Sequence, residues 1–232
     1  MKPDNWVESV NCAIEGIIWA VSSQKHLRYH CFSSVIVLLL ALFLGLSALD
    51  FILLTFAVTL VLFAELMNTA IEVVVDLVSP QFHPLARRAK DVAAGSVLVA
   101  SIGAFVIGFF IFSRYLFPSL EMELGRSEPI VPILPTVSIL VAVFIVLLLK
   151  AYFGKGRPLS GGMPSGHAAV AFSVATSVVL VQPGIEISLL VVLIAILVSY
   201  SRFQLRVHSV SEVVFGAILG VLTTLICYLV FN

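Results

Sequence analysis

Three short polar patches interrupt the apolar second half of this 232-residue chain, and their residue types suit phosphate chemistry. They combine two cations, a Ser-Gly-His turn, and a further Arg followed by a second His. The patches are Lys150…Arg157-Pro158, Pro164-Ser165-Gly166-His167 and Ser201-Arg202…His208. Cations and the backbone N–H groups at a helix N-terminus can hold a phosphoryl group, and an imidazole can attack its phosphorus.

The second histidine has a carboxylate at a useful distance along the chain. His208 and Glu212 lie four positions apart, so they are neighbours on one face of a helix. A carboxylate there would hold the imidazole in the tautomer that a nucleophile needs. In the alternative interpretation the histidines are interfacial residues with satisfied hydrogen bonds. That alternative must also account for the convergence of Arg157 and Arg202.

A second group of polar residues lies within a long apolar segment of the first half. They are Glu65, Asn68, Glu72 and Asp76. Their spacing of i, i+3, i+7 and i+11 places them on one helix face. Ionisable groups at membrane depth are costly and indicate function, although a polar seam that joins helices is the alternative. With Lys90 and Asp91 at the start of the next segment, the carboxylates suit magnesium and a nucleotide phosphate. Glu65, nearest the middle of the membrane, is a candidate general base for a lipid hydroxyl.

The elements that carry these residues are transmembrane helices. Apolar residues make up 60% of the chain and charged residues only 11%. The apolar runs approach or exceed the roughly 20 residues that cross a bilayer, so we predict an all-α integral membrane protein with about seven spans in two bundles. The predicted spans are 32–49, 51–78, 92–117, 130–149, 167–181, 185–201 and 210–231.

An amphipathic helix is predicted ahead of these spans. Apolar residues recur at helical spacing from Trp6 to Val21, and Asn5 and Glu8 are placed like an N-cap and its return partner. The helix lies either in the membrane interface or packed over the end of a bundle. We expect no signal peptide here, because a compact apolar core with a small-residue cleavage site is missing.

The distribution of charge predicts two domains with their sites on the same side of the membrane. A polar, Pro-bearing interruption separates 1–117 from 130–232, with a linker at 118–129. When the spans alternate in direction, all 13 Lys and Arg residues except Arg114 and Arg126 fall on one face. The positive-inside rule makes that face cytoplasmic. An even number of crossings separates the two polar groups, so both fall on it.

Composition also excludes several classes of protein. The cysteines are odd in number and dispersed, which argues against a disulfide framework or a metal knuckle. They are Cys12, Cys31 and Cys227. A net charge of zero without a basic tract gives no indication of nucleic-acid binding. A channel or transporter would need its charges along a continuous pore, whereas these cluster at one membrane face.

The first polar group resembles the small integral-membrane diacylglycerol kinase family, especially its undecaprenol-kinase branch. The likeness covers about residues 1–117 and rests on AELMNTAIE at 64–72, AKDVAAG at 89–95 and Glu15-Gly16. It implies a homotrimer that binds ATP and Mg²⁺ at its cytoplasmic end. The implied roles are Glu65 as base, Asn68 as support, Glu72 as metal ligand, and Lys90, Asp91, Asn68 and Asp76 at the nucleotide. Where the family has a second metal-binding Glu, this chain has Gln24, whose amide is a weaker ligand for a hard dication.

The three patches resemble the type 2 phosphatidic-acid phosphatase family, over about residues 130–232. The pattern is Lys-x6-Arg-Pro, Pro-Ser-Gly-His and Ser-Arg-x5-His. The resemblance implies that His208 forms a phosphohistidine and that His167 protonates the leaving group, without a metal. The groups implied to hold the phosphoryl oxygens are Lys150, Arg157, Ser165, Gly166 and Arg202. Glu212 stands where the family has Asp.

Together the resemblances imply a bacterial inner-membrane enzyme that makes one product by two routes. Phosphorylating undecaprenol and removing phosphate from undecaprenyl diphosphate both give undecaprenyl phosphate. The opposite pairing, diacylglycerol phosphorylation with phosphatidate dephosphorylation, is a futile cycle unless regulated. The remaining alternative is a phosphatase on a catalytically silent, kinase-like trimerisation scaffold.

Overall fold

The computed structural model describes residues 5–117, 133–153, 161–181 and 184–231, and every regular element in these ranges is a helix. The chain divides into two compact units, Met1–Glu121 and Met122–Asn232. The predicted linker at 118–129 lies outside the described residues. In the first unit the helices are α1 (Trp6–Ser23), α2 (Lys25–Phe43), α3 (Ala48–Val78) and α4 (Pro84–Leu116). In the second they are α5 (Leu134–Phe153), α6 (Gly166–Leu180), α7 (Ile185–Gln204) and α8 (Val210–Phe231).

Six of the described helices are long and apolar enough to cross a membrane. They are α2, α3, α4, α5, α7 and α8. The remaining predicted span corresponds to α6, which is apolar but has only 15 residues. A helix of that length rises about 22 Å, short of the roughly 30 Å hydrocarbon core. The chain is therefore an all-α, multi-pass membrane protein, with six full-length spans and one shorter helix in the part described.

The N-terminal helix α1 carries apolar residues that the first unit leaves exposed. Asn5 caps the helix, because its side chain accepts a hydrogen bond from the Glu8 backbone N–H at 2.8 Å. Ala20 is the one buried residue among those of α1, whereas Trp6 and Ile18 are well exposed. An exposed apolar surface on a helix beside a membrane bundle favours the interfacial interpretation over packing against the bundle end.

Two helices begin earlier than the apolar runs indicated. Gln24 has extended backbone angles and separates α1 from α2, which starts at Lys25 instead of residue 32. Helix α4 starts at Pro84 instead of residue 92, and the His83 side chain caps it by accepting from the Leu85 N–H. Lys90 and Asp91 therefore lie in the second turn of α4 and not at its start. Helix ends follow caps and N1 prolines, which extend beyond the apolar run.

Small side chains let the helices of the first unit approach closely. Val61 and Ala64 of α3 pack against Ala100 of α4. At the other end of α3 the buried Asp50 carboxylate accepts hydrogen bonds from the Ser47 hydroxyl at 2.8 Å and from Tyr115 at 2.9 Å. These contacts fix the antiparallel α3–α4 pair that presents the polar face of α3.

In the second unit, glycines bring α8 against α6. A Cβ on Gly216 would collide with the Ser165 carbonyl oxygen, and one on Gly220 would collide with that of Ala169. Two glycines four residues apart allow backbone-to-backbone contact between membrane helices. This contact sets the position of Ser165, which belongs to one of the three polar patches, relative to α8.

Candidate active sites

In the first unit, the polar face of α3 is paired with side chains of α2 and α4. The Glu65 side chain is only 7% exposed, and its Oε1 lies 3.1 Å from His30 Nε2 of α2. A carboxylate buried at this depth needs such a partner, because desolvation penalises its charge. His30 is not among the site residues predicted from the sequence. The feature that could have indicated it is a histidine at the end of a membrane span, but the predicted span begins at residue 32, two residues after His30.

Two helical turns after Glu65, the Glu72 carboxylate is held by two amides. Asn68 Nδ2 donates to one carboxylate oxygen at 3.1 Å, and Gln24 Nε2 donates to the other at 3.4 Å. Asn68 Oδ1 is buried and has no hydrogen-bond partner among the described residues. The break between α1 and α2 at Gln24 is what brings this side chain to α3.

The cation of α4 reaches α3, whereas its neighbouring carboxylate does not. Lys90 Nζ forms a short ion pair with Asp76. Asp91 pairs instead with Arg87 at 3.8 Å along the same helix, and its side chain is 70% exposed. Consecutive helical residues point about 100° apart, so Lys90 and Asp91 cannot both face α3. Within one copy of the chain the nucleotide-binding set predicted above is therefore split.

The side-chain oxygen atoms at Glu72 and Asn68 could serve as ligands of one Mg²⁺ ion, the cation that accompanies ATP. Among the described residues no group of three or more His, Cys, Asp or Glu side chains is placed to hold a metal ion. Magnesium, however, is commonly held by one or two carboxylates and by substrate phosphates. Glu72 supplies one carboxylate, and the unpaired Asn68 Oδ1 supplies a neighbouring oxygen. Gln24 presents its amide nitrogen to Glu72.

In the second unit, a histidine and a carboxylate form the centre of the candidate site. His208 is buried, and its Nδ1 lies 2.8 Å from Glu212 Oε2. The same oxygen accepts from the Ser209 backbone N–H at 3.1 Å. Glu212 is one methylene longer than the Asp of the family pattern, and it still contacts the His208 ring. Engagement of Nδ1 leaves Nε2 as the ring nitrogen not held by the carboxylate.

Backbone hydrogen bonds join the polar patches around this pair. The carbonyl oxygen of Arg202 accepts from the backbone N–H groups of Val207 and His208, both at 3.2 Å. The tight turn that this requires includes Arg206 with a positive φ of 53°. Ser165 N–H donates to the Glu212 carbonyl oxygen at 3.0 Å. Segments far apart in sequence are therefore held against one another by the main chain.

Two donors in this cluster have no acceptor in the described structure. The Ser165 hydroxyl and Arg202 Nε are buried and lack hydrogen-bond partners among the described residues. Leaving a buried polar group unpaired costs on the order of 1–3 kcal/mol, so such groups call for an explanation. Lys150 donates to the Gly161 carbonyl oxygen at 3.1 Å. An anion with several oxygens would satisfy the two unpaired groups.

His167 stands within the same electrostatic neighbourhood. It lies close enough to Arg202, His208 and Lys150 for their charges to act on it. Gly166 is the first residue of α6, so backbone N–H groups of the first turn lie beside the cluster. Of the predicted phosphatase residues, only Arg157 lies outside the described part of the chain. The others are brought together.

Comparison with known proteins assigns the first half of the chain. The family model for prokaryotic diacylglycerol kinase matches residues 11–112. A diacylglycerol kinase of Haemophilus influenzae is 35% identical over 94 residues, which cover 40% of this chain and 80% of that protein. An undecaprenol kinase of Bacillus subtilis is 34% identical over 96 residues, or 41% of this chain and 78% of the relative.

The chain belongs to the prokaryotic diacylglycerol kinase family.

The family match includes the polar face of α3 together with Gln24, His30 and the Lys90-Asp91 pair. A diacylglycerol kinase of Synechocystis sp. is 42% identical over 105 residues, or 45% of this chain, and the matched part spans only 60% of that protein's length. No solved structure matches the chain.

The second half matches a different family. The model for the PAP2 superfamily covers residues 159–232, which include Ser165, His167, Arg202, His208 and Glu212. The match begins after Lys150 and Arg157, so it does not reach the first of the three patches. The chain is thus a fusion of a prokaryotic diacylglycerol kinase-like half and a PAP2-like half. The two matches indicate a lipid kinase and a phosphatase in one membrane protein, with ATP as the phosphate donor of the kinase.

Proposed function

We propose that this protein makes undecaprenyl phosphate by two routes. The phosphatase half removes one phosphate from undecaprenyl diphosphate, and the kinase half transfers a phosphate from ATP to undecaprenol. The observation that carries the proposal is the buried His208–Glu212 pair beside two unpaired donors, Ser165 Oγ and Arg202 Nε. This arrangement provides a nucleophile and an anion site in the same place.

In the phosphatase half, His208 Nε2 attacks the terminal phosphorus. A nitrogen–phosphorus bond forms as the bond from phosphorus to the leaving oxygen breaks, and His167 donates a proton to that oxygen. Water then attacks the phosphohistidine, with His167 accepting a proton, and inorganic phosphate is released. Ser165, Arg202 and Lys150 stabilise charge on the transferring phosphoryl oxygens, with Arg157 and the Gly166 N–H as further donors. Glu212 holds the His208 tautomer, and the half needs no metal.

In the kinase half, Glu65 accepts the proton of the lipid hydroxyl. The hydroxyl oxygen bonds to the γ-phosphorus of ATP as the bond between that phosphorus and the β–γ bridging oxygen breaks, and ADP leaves. Lys90 exchanges Asp76 for a phosphate oxygen, and Asp91, which does not face α3 of its own copy, contacts the nucleotide held by a neighbouring copy of the trimer. Glu72 and Asn68 hold magnesium, which when bound neutralises charge on the phosphates.

An apolar cavity in the first unit supports a lipid substrate. It has a volume of about 480 Å³, lies among α2, α3 and α4, and is lined mainly by aliphatic and aromatic side chains. His30, the partner of Glu65, stands among its lining residues. A hydrocarbon chain in this cavity would bring a terminal hydroxyl near the carboxylate.

The choice of an isoprenoid lipid rests on the pairing of the two halves. The curated relatives include both diacylglycerol kinases and an undecaprenol kinase, so the first half alone does not decide between lipids. Two opposing reactions on diacylglycerol and phosphatidate would only hydrolyse ATP. Two reactions that converge on one lipid monophosphate would not.

A second candidate function has one observation in its favour. Gln24 donates its amide to Glu72, where the kinase-family pattern has a second metal-binding carboxylate. This favours a phosphatase of phosphatidate-type lipids whose first half is a silent trimerisation scaffold. Phosphorylation of undecaprenol that disappears in Glu65→Gln, while phosphatase turnover persists, would remove this candidate.

We propose that the protein is a homotrimer in a bacterial inner membrane. Both of its sites then face the cytoplasm. The bias of Lys and Arg residues supports this orientation. ATP is available on that side, as the kinase requires. The trimer follows from the family resemblance.

The proposal is tested with purified protein and three radiolabelled lipids: undecaprenyl diphosphate, undecaprenol and diacylglycerol. Each is supplied with and without ATP and Mg²⁺. We expect phosphate release from the diphosphate without ATP, and phosphorylation of undecaprenol with it. Faster turnover of diacylglycerol and phosphatidate than of the isoprenoids would contradict the assignment of substrates.

A further inference from the structure

The Glu65 carboxylate has a partner on a different helix. His30 belongs to α2, and its Nε2 lies 3.1 Å from Glu65 Oε1 of α3. Its position on α2 is fixed by the buried residues Leu27 and Ala41, which lie three residues before and eleven after it. These spacings place all three on one face of the helix. His30 therefore points toward α3 because the packing of α2 requires it.

The contact positions the carboxylate. The Glu65 side chain is 7% exposed, so its partners are side chains of the bundle more than water. The hydrogen bond fixes the rotation of the carboxyl group and leaves Oε2 as the oxygen not engaged by His30.

His30 also faces the lipid side of the site. One third of its side chain, 33%, is exposed, and it lines the apolar cavity among α2, α3 and α4. Ser33 and Ser34 of α2 line the cavity nearby. The imidazole therefore lies where the buried carboxylate meets the space available to a hydrocarbon chain. A substrate hydroxyl that reaches Glu65 from this cavity passes the imidazole ring.

We infer that His30 is a positioning residue for the kinase reaction. As a neutral imidazole it donates its Nε2–H to Glu65 Oε1 and directs Oε2 at the lipid hydroxyl. Oε2 takes the hydroxyl proton as the new oxygen–phosphorus bond forms, and His30 itself neither gains nor loses a proton. This inference rests on the proposed kinase function and assigns His30 no part in holding the nucleotide or the metal.

The test compares three variants at His30 with one control variant at His26. His30→Gln places an amide N–H where Nε2 lies, whereas His30→Asn is too short to reach Glu65, and His30→Phe fills the space without a donor. His26→Phe is the matched control, because His26 is exposed one turn earlier on α2. The measurements are kcat, the KM values for ATP and for undecaprenol, and the thermal unfolding midpoint of each purified variant.

We expect His30→Phe and His30→Asn to lower kcat by about 10- to 100-fold, with KM for ATP within about twofold of the wild type. His30→Gln should restore kcat to within about threefold, and His26→Phe should match the wild type. If His30→Phe does not fold, the comparison of Asn with Gln decides the matter, since both are small amides.

Equal kcat values for His30→Asn and the wild type would overturn the inference while leaving the proposed kinase intact. So would a loss of activity in His30→Gln as large as that in His30→Asn, since the hydrogen-bond donor would then not matter. Absence of ATP-dependent phosphorylation in the wild type would overturn the proposed function itself, and the role of His30 with it.

Discussion

The two candidate sites of this chain satisfy their polar groups in opposite ways. In the first unit the polar side chains are paired with one another: His30 with Glu65, and Lys90 with Asp76. In the second unit the central pair is buried beside donors that have no acceptor in the described structure, Ser165 Oγ and Arg202 Nε. The cation Lys90 of the first site is paired with a carboxylate, whereas the second site has two buried donors that a phosphoryl group would satisfy.

This difference has a chemical consequence. A site with buried, unpaired donors is already arranged for a phosphoryl group, so binding requires little reorganisation. A site whose cation is paired to its own carboxylate must exchange that partner for a ligand phosphate. We therefore expect the phosphatase to work from side chains of one unit alone, and the kinase to depend on ATP, magnesium and rearrangement of its pairs.

The largest predicted effect separates the two activities. His208→Ala should lower phosphatase turnover by at least about 1,000-fold, because it removes the attacking nitrogen. ATP-dependent lipid phosphorylation by the same sample should be unchanged. Release of phosphate and transfer of label from ATP are measured in parallel, with Glu65→Gln as the reciprocal variant. A parallel loss of both activities in a folded His208→Ala protein would show that the sites are not independent.

The next prediction concerns the unpaired hydroxyl. Ser165→Ala should lower phosphatase turnover by about 10- to 100-fold, since a donor to the transition state is lost. Its stability should be unchanged or raised by about 1 kcal/mol, because the buried hydroxyl has no partner to lose in the described structure.

Ser173→Ala is the matched control for this variant. The Ser173 hydroxyl is also buried, on the helix α6 that follows Ser165, but it lies 2.8 Å from Thr224 Oγ1. Its removal should cost about 1 kcal/mol and leave turnover per folded molecule as it is. Both quantities come from unfolding curves and phosphate release. A Ser165→Ala protein that is less stable yet fully active would reverse the interpretation.

Helix contact in the second unit should be sensitive to a single methyl group. Gly220→Ala places a Cβ against the Ala169 carbonyl oxygen, so we expect a loss of about 1–3 kcal/mol in the free energy of unfolding. Gly103→Ala on α4 meets no atom within 4 Å and should be neutral or stabilising. Thermal unfolding of both variants measures this. Equal midpoints would mean that the close approach of α6 and α8 is not needed.

The smallest predicted effect is on the magnesium requirement of the kinase, when a second carboxylate is added to the first site. Gln24→Glu replaces the amide beside Glu72 with a second carboxylate, so the Mg²⁺ concentration for half-maximal kinase activity should fall roughly threefold to tenfold. Phosphatase turnover should not change. Gln81→Glu adds the same charge in the exposed turn before α4 and serves as control. An unchanged magnesium requirement would argue against a metal at Glu72.

Much of the architecture could be predicted from the sequence because the membrane imposes simple rules. The apolar runs predicted the membrane spans, and the i, i+3, i+7 spacing of Glu65, Asn68 and Glu72 predicted the polar face of α3. What could not be predicted follows from caps and from contacts between helices. Pro84 and His83 start α4 before its apolar run, which places Lys90 and Asp91 on different faces of the helix. The Glu65 partner, His30, belongs to another helix and has no fixed spacing from it.

The second site was easier to predict than the first for a physical reason. Its residues sit in short motifs at helix ends, and backbone hydrogen bonds join them: the Ser165 N–H donates to the Glu212 carbonyl oxygen, and the His208 N–H donates to that of Arg202. The effect of Glu212 in place of Asp could not be read from the sequence. In the structure the longer side chain reaches both His208 Nδ1 and the Ser209 N–H.

The most direct test of the account is to trap the phosphorylated enzyme. Protein mixed with undecaprenyl diphosphate labelled on its terminal phosphate, then quenched under alkaline conditions, should carry an acid-labile phosphate. Mass spectrometry of its peptides should place that phosphate on His208. Label on another residue, or full turnover by a His208→Ala protein, would contradict the central claim.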